Sequence, residues 1–395
     1  MSVTFPRGFR AAGVTAGLKE SARPDLGLLA VDGEGTAAGA FTTNAFPAAP
    51  VVLSRERIAR GTARAVVVNS GQANAGTGEP GLDDARATAE AAASDLRCDP
   101  EDILVCSTGL IGARIPMDKL TAALPMAAAE LSENGGDAFS EAILTTDTGP
   151  KTATATAGRY RVGGCAKGAA MIAPRLAPAR LATLLAFITT DAAATPELAA
   201  ALVTERVVPT WNGLVVDGAQ STNDTVILLA SGATGGSRIG PSDQEAAELG
   251  EAVEAVSRNL VRQVAAGAEG ATRTLVVHVQ GATTHDDARR VGLAVAGSPL
   301  VKAALFGADA NPGRILQAIG DSEVPVEPGG VRVHIGDIPL ITAGVVADPN
   351  VDVAEAMKEP EVVLDVALGD GPGTATVFGC DLGYDYVRLN AEYRT

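Results

Sequence analysis

Gly164-Cys165-Ala166-Lys167-Gly168, then Met171-Ile172-Ala173-Pro174, then Leu181-Ala182-Thr183-Leu184-Leu185-Ala186-Phe187-Ile188-Thr189-Thr190-Asp191, is the stretch on which the reading of this chain turns. It lies near the middle of the 395 residues. Thr183 follows a small residue and opens an apolar run that reads as helix-capable. A threonine hydroxyl is a poor nucleophile at neutral pH unless a base is held against it, and the residue's own α-amine, freed by backbone cleavage, is one such base. Cleavage between Ala182 and Thr183 would create both groups in one residue. Taken alone, the segment reads as an ordinary helix start with a threonine near its cap.

The rest of the chain narrows the choice. With 46% hydrophobic residues, it has ample material for a sizeable core in one large or two ordinary domains. No apolar run reaches ~18 residues, and Met1 to Arg10 lacks the apolar region of a signal peptide, so a soluble cytoplasmic protein is expected. Cys98, Cys106, Cys165 and Cys380 are scattered, with no CxxC pair and no histidine at ligand spacing; they read as reduced and mostly buried, not as a metal or redox site. Only three histidines occur, His278, His285 and His334, which gives a histidine-based triad little support. A formal net charge of -16 argues against a nucleic-acid surface, and no polybasic run offers a grip on anionic lipid. Small charged amino acids remain compatible substrates, because local cations can oppose the global field.

Short strands alternate with helices, and no dinucleotide fingerprint or phosphate loop interrupts them, so the fold class is α/β. Ala65 to Val68 reads as a strand delivering Asn69-Ser70-Gly71 to a loop. Leu82 to Leu96 reads as a helix, and Ile103 to Cys106 as a strand running into Ser107-Thr108-Gly109, where backbone N–H groups can turn outward with no side chain in the way. Pro116 opens a helix to Leu131. Lys167 follows the strand Tyr160 to Val162 and an expected Gly163-Gly164 turn. Helical pattern continues after Thr183, and Pro196 starts a further helix ending near Val207. Asn212 to Asp217 and Thr225 to Leu229 look like paired strands around a loop. Ser242-Asp243-Gln244-Glu245 has capping-box spacing, and Leu249, Val253, Val256, Leu260 and Val264 recur on one helical face. Strands at Leu275 to Val279, Val331 to Ile335, Val362 to Val366 and Thr374 to Phe378 complete the pattern.

Seven blocks occur in a familiar order: Asn69-Ser70-Gly71, Cys106-Ser107-Thr108-Gly109, Thr145-Thr146-Asp147-Thr148, Lys167 to Thr183, Ser221-Thr222-Asn223-Asp224-Thr225, Glu269-Gly270-Ala271-Thr272 and Asn390 to Thr395. Over essentially its whole length the chain resembles the glutamate N-acetyltransferase (ornithine acetyltransferase) family. The resemblance implies a two-domain α/β protein of layered sheets and helices, self-processed and N-terminal-nucleophile-like. It implies an α fragment, 1–182, and a β fragment, 183–395, pairing into an α2β2 heterotetramer. The implied reaction moves acetyl from N2-acetylornithine to L-glutamate within arginine synthesis, with acetyl-CoA a possible further donor and no metal or organic cofactor. Thr183 would be the nucleophile, and Thr108 and Gly109 the oxyanion hole. Thr145, Lys167, Thr183, Glu269, Asn390 and Thr395 would hold substrate.

The chain departs from the family pattern in several places, among them Gln72 and Gly76, which stand where the family often has Asn and Cys. Pro178 stands where the threonine usually follows, and five extra residues, a near repeat of Arg175-Leu176-Ala177 as Arg180-Leu181-Ala182, precede Thr183. Ala219 stands in a usually polar slot, and Pro312 replaces a tryptophan before Gly313-Arg314. Two alternatives follow from these departures: a related acyltransferase or amidase of specialised metabolism, and an uncleaved amino-acid-binding protein.

Overall fold

A computed structural model describes residues 2–177, 184–348, 353 and 355–392. Ala182, Thr183 and Thr395 therefore lie outside the described residues. The larger sheet contains β1 (Phe9–Val14), β2 (Leu26–Thr42), β3 (Thr62–Asn69), β4 (Ile103–Ser107), β5 (Lys151–Ala157), β6 (Tyr160–Lys167), β7 (Leu176–Ala177), β8 (Leu185–Thr190) and β9 (Thr225–Ala230). Its main order is β4-β3-β2-β9-β8-β6-β5, with β1 and β7 pairing to β2. The smaller sheet contains β10 (Thr274–Gly281), β11 (Arg332–Ile335), β12 (Ile338–Thr342), β13 (Val345–Val346), β14 (Glu361–Ala367) and β15 (Gly371–Cys380), in the order β13-β12-β11-β14-β10-β15.

Helices cover these sheets: α1 (Ala49–Ile58), α2 (Gly78–Leu96), α3 (Met117–Ala129), α4 (Gly136–Ala142), α5 (Pro196–Leu202), α6 (Val208–Trp211), α7 (Gln244–Ala266), α8 (His285–Gly297), α9 (Pro299–Phe306), α10 (Pro312–Gly320) and α11 (Tyr384–Glu392). On one face of the larger sheet, Ala186, Ile188, Val226 and Leu228 pack against Leu249, Val253, Val256 and Leu260 of α7. On the other face, Leu185, Phe187, Ile227 and Leu229 join Phe139 and Ile143. Val291 and Val295 of α8 cover Val277 and Val279 of the smaller sheet. The layered α/β reading thus describes the observed architecture.

Four local expectations are overturned. The run after Thr183 is strand β8, not helix. Buried on both faces, a central strand shows no alternation, and its short apolar run imitates a helix; its six-residue length and β-branched Ile188, Thr189 and Thr190 mark it as strand. Gly163 and Gly164 form no turn but continue β6. A Cβ on Gly163 would lie 2.2 Å from Ser2 O, and one on Gly164 2.9 Å from Val256 Cγ1, so the pair lets the amino-terminal segment and α7 approach opposite faces.

Residues Asn212 to Asp217 do not pair with β9, whose partners are β2 and β8. Val215 N instead donates to Phe378 O at 2.9 Å, and Val216 N to Ile172 O at 2.8 Å, which fastens the smaller sheet to the Met171–Pro174 segment. Finally, Asp243 is the N-cap of α7 without capping it, because Oδ2 accepts from Gly240 N at 2.7 Å. All four cysteines are free, three of them buried. Among the described residues, no helix is long and apolar enough to cross a membrane.

Candidate active site

Lys167, Thr108, Gly109, Thr145, Glu269 and Asn390 come from five separate stretches and line one cavity of about 220 Å³. Lys167 is the last residue of β6 and Thr108 follows the last residue of β4. Both side chains are buried, and Lys167 Nζ donates to Thr108 Oγ1 at 3.1 Å. The Thr108 main-chain N–H is committed to Asn69 O at 3.0 Å. Thr108 can therefore offer an oxyanion its hydroxyl, which the ammonium polarises. Gly109 has φ +117, and a Cβ there would lie 2.3 Å from Gly71 O. Only glycine fits the turn, and among the described residues nothing accepts its N–H.

Behind Lys167 sits Asp147, 4% exposed. Its carboxylate accepts from Lys151 Nζ, from Gly168 N at 2.7 Å and from Thr145 N at 3.1 Å. Burial pushes this carboxyl up, but the charges of Lys167 and Lys151 and the bonds from Lys151 and Gly168 outweigh it, leaving Asp147 at about 2. For Lys167 the balance goes the other way: burial lowers the ammonium's affinity for its proton, and Asp147 opposes this only in part. Asp147 thus fixes the end of β6 and the Thr145 loop as one unit.

The opposite wall is acidic. Glu269 follows α7, its N–H bonded to Ala169 O at 2.8 Å, and its Oε2 accepts from Asn390 Nδ2 of α11 at 3.0 Å. Asp217 accepts main-chain bonds from Met171 at 2.6 Å and Ile172 at 2.9 Å, and it also bonds the Tyr386 hydroxyl. Burial, then the Asp217 charge and this bond, push Tyr386 up to about 12, so it stays a protonated donor. A Cβ on Gly270 would meet Tyr386 N at 2.3 Å, which shows how closely α11 lies on the Glu269 loop. Among the described residues no group of His, Cys, Asp and Glu is placed to hold a metal.

The ArgJ family model matches residues 10–395. The chain belongs to the ArgJ family. Relatives named arginine biosynthesis bifunctional protein ArgJ include one from Thermobifida fusca, 44% identical over all of both chains, and one from Symbiobacterium thermophilum, 45% identical over all of this chain and 98% of that one. A solved ornithine acetyltransferase from Mycobacterium tuberculosis, complexed with ornithine, is 47% identical over 45% of this chain and 96% of that chain, with a TM-score of 0.44.

In this ArgJ-family chain, the sequence reading missed Asp217 and Tyr386, which line the cavity, and Asp147 and Lys151, which pair behind Lys167. Asp147 and Lys151 were legible as an acid and a base four residues apart beside a threonine-rich loop. Asp217 was hidden by the mistaken strand, and Tyr386 by the tendency of chain ends to fray. Arg314 stands apart from the cavity and donates to Leu300 O at 2.8 Å.

Proposed function

We propose that this chain transfers acetyl from N2-acetylornithine to L-glutamate, releasing ornithine and forming N-acetylglutamate in arginine biosynthesis. The chain first cuts itself before Thr183: the Ala182–Thr183 C–N bond breaks, one water is consumed, and a carboxyl and a free α-amine result. The fragments 1–182 and 183–395 stay together and pair as an α2β2 assembly in the cytoplasm. The Thr183 amine then takes the hydroxyl proton as the oxygen attacks the acetyl carbonyl. The Thr108 hydroxyl and Gly109 N–H receive the developing oxyanion, and ornithine departs with the proton. Glutamate enters, and its amine takes the acetyl group from the threonine ester.

Lys167 and Thr145 hold the α-carboxylate, while Glu269, oriented by Asn390, meets the ornithine ammonium, a charge-assisted pairing on both sides; Thr395 contributes a further substrate contact. Acetyl-CoA serves as a second donor to glutamate. The carrying observation is the convergence of six residues, distant in sequence, on one cavity whose opposite walls are cationic and acidic. Leu184, the residue after Thr183, is buried immediately before β8, whose first residue, Leu185, pairs with Lys167 of β6.

Intact mass of purified protein tests the reading. Two fragments divided before Thr183 are expected, with the larger-numbered one gaining one acetyl group when mixed with N2-acetylornithine without glutamate. A single uncut chain that still turns over would remove Thr183 from the mechanism. Acetate released steadily without glutamate would favour an amidase.

A further inference from the structure

The loop between β1 and β2, residues 15–25, has no task in the mechanism above. It is built on Asp25, which is buried and accepts from Ala16 N at 2.6 Å, Leu18 N at 2.6 Å and Lys19 N at 3.0 Å. Three main-chain donors on one carboxyl group fix the loop's course. From this base two cations reach the same neighbour. Lys19 Nζ donates to Leu144 O at 2.7 Å and to Pro24 O at 3.0 Å, and Arg23 Nη2 donates to Thr145 O at 3.1 Å.

Thr145 is thereby held from both ends, since its N–H donates to Asp147 at 3.1 Å. The loop also backs the oxyanion turn. A Cβ on Gly71 would lie 2.6 Å from Leu18 Cβ, and Gln72 Nε2 donates to Leu18 O at 3.3 Å. Gly71 O is in turn the atom that a Cβ on Gly109 would meet. One segment, more than a hundred residues from Thr145, thus supports both Thr145 and Gly109.

Lys19 is half-buried, and the charges that act on it are those of Asp25, Arg23, Lys167 and Asp147. Burial lowers its proton affinity most; Arg23 and Lys167 add to this, Asp25 and Asp147 oppose it, and the ammonium is left at about 8. The side chains described as lining the cavity include neither Lys19 nor Arg23, so both act from behind its wall, through the Leu144–Thr145 main chain. We propose that Lys19 and Arg23 are positioning residues for the substrate α-carboxylate: they hold Thr145 at the cavity wall by these two carbonyls, and the Lys19 ammonium adds its field to that of Lys167. In a chain of net charge -16, this second layer of cations favours the approach of an anionic group to that wall. The inference rests on the reading above that places the α-carboxylate at Lys167 and Thr145.

Binding of L-ornithine, followed by calorimetry, tests it without turnover. Lys19→Met should weaken binding about tenfold near pH 7, the scale of one lost charged hydrogen bond. In steady-state kinetics the loss should fall on the KM for N2-acetylornithine, with kcat within about threefold of the parent. Lys19→Arg keeps a cation that does not titrate in this range, and should restore affinity to within about threefold. A protonated Lys19 favours the anion, so its contribution is full below its folded value and lost above it. Between about pH 7 and 9 the parent should therefore lose about fivefold more affinity than Lys19→Arg; the ligand's own titration is common to both and cancels. Binding by Lys19→Met within about twofold of the parent, a loss confined to kcat, or parallel pH profiles for the parent and Lys19→Arg would each overturn the proposal.

Should Lys19→Met or Lys19→Arg fail to fold, Arg23→Gln carries the test, because Arg23 is exposed. It should bind ornithine about threefold more weakly near pH 7, with the gap narrowing toward pH 9, since removing this cation lets Lys19 keep its proton longer. A gap that does not change with pH overturns the proposal. A parent that does not bind ornithine removes the substrate reading itself, whereas a parent that binds it and is indifferent to Lys19 and Arg23 removes only this inference.

Discussion

Replacing Thr108 by valine separates two ways of building an oxyanion hole. If the main-chain N–H of Thr108 were the donor, valine would leave it intact. That N–H is bonded to Asn69 O at 3.0 Å, so in the proposed mechanism the donor is the hydroxyl, which accepts from Lys167 Nζ at 3.1 Å. Losing one such donor costs about 10²–10³ in kcat, about 3–4 kcal/mol. Because the bond strengthens only as negative charge develops, KM should move little. Lys167 also loses a partner, at about 1.5 kcal/mol, the low end for a charged hydrogen bond, because Asp147 still faces it. The assay is ornithine release at saturating glutamate, normalised to the cut fraction by intact mass, with Thr108→Ser as the variant that keeps the hydroxyl. A valine variant within about threefold of the parent kcat would refute the hydroxyl's role.

Gly109→Ala should cost at least about 3 kcal/mol and most activity, since φ is +117 and the new Cβ meets Gly71 O; Gly112→Ala, with φ +87 and open space, should cost only about 1 kcal/mol in the same melting experiment. Asp147→Asn should lose about 2–3 kcal/mol at neutral pH, since the parent carboxyl sits at about 2 when folded against about 3.9 unfolded. A lowered carboxyl stabilises above its unfolded value and loses that benefit as pH falls through its folded one, so denaturant titrations near pH 7 and pH 3 should differ less in the variant. Asn390→Ala should raise the KM for N2-acetylornithine about tenfold with kcat nearly unchanged, and steady-state kinetics showing a fall confined to kcat would contradict its role in orienting Glu269.

What the sequence made legible follows from how its segments are buried. Helix α7 is half-exposed, and its apolar stripe was plain; β4 ends in a glycine turn whose chemistry has few alternatives. The strands β8 and β6 were misread for one shared reason. They are interior to the larger sheet, covered on both faces, so neither alternation nor a polar boundary marks them. Gly163-Gly164 looked like punctuation because sequence carries no sign of a neighbour pressing on each face. The same limit concealed the site's supporting network. Asp147 and Lys151 pair at helical spacing although the second of them is already in a strand, and Asp217 joins Met171 to Tyr386 across more than 200 positions, a relation that only tertiary packing creates.

The cavity's charges explain how one site can accept substrates with opposite side chains. Its cationic wall is rigid: Lys167 ends a central strand, Asp147 receives four charged or main-chain groups around it, and both are buried. Its acidic wall is adjustable, because Glu269 lies in a loop and its partner Asn390 stands on α11, a helix with no buried residue. A group common to both substrates, the α-carboxylate, belongs on the rigid side. The side chain that differs, an ammonium in ornithine and a carboxylate in glutamate, belongs on the adjustable side, where an amide can donate as readily as accept. On the proposed assignment, Asn390 orients Glu269 toward the ammonium; when a carboxylate arrives, the Asn390 amide has to exchange its bond to Glu269, or the Tyr386 hydroxyl its bond to Asp217, for one to the substrate. The second substrate is thus met by hydrogen bonds where the first is met by charge, and raising ionic strength should weaken N2-acetylornithine more than glutamate at this wall.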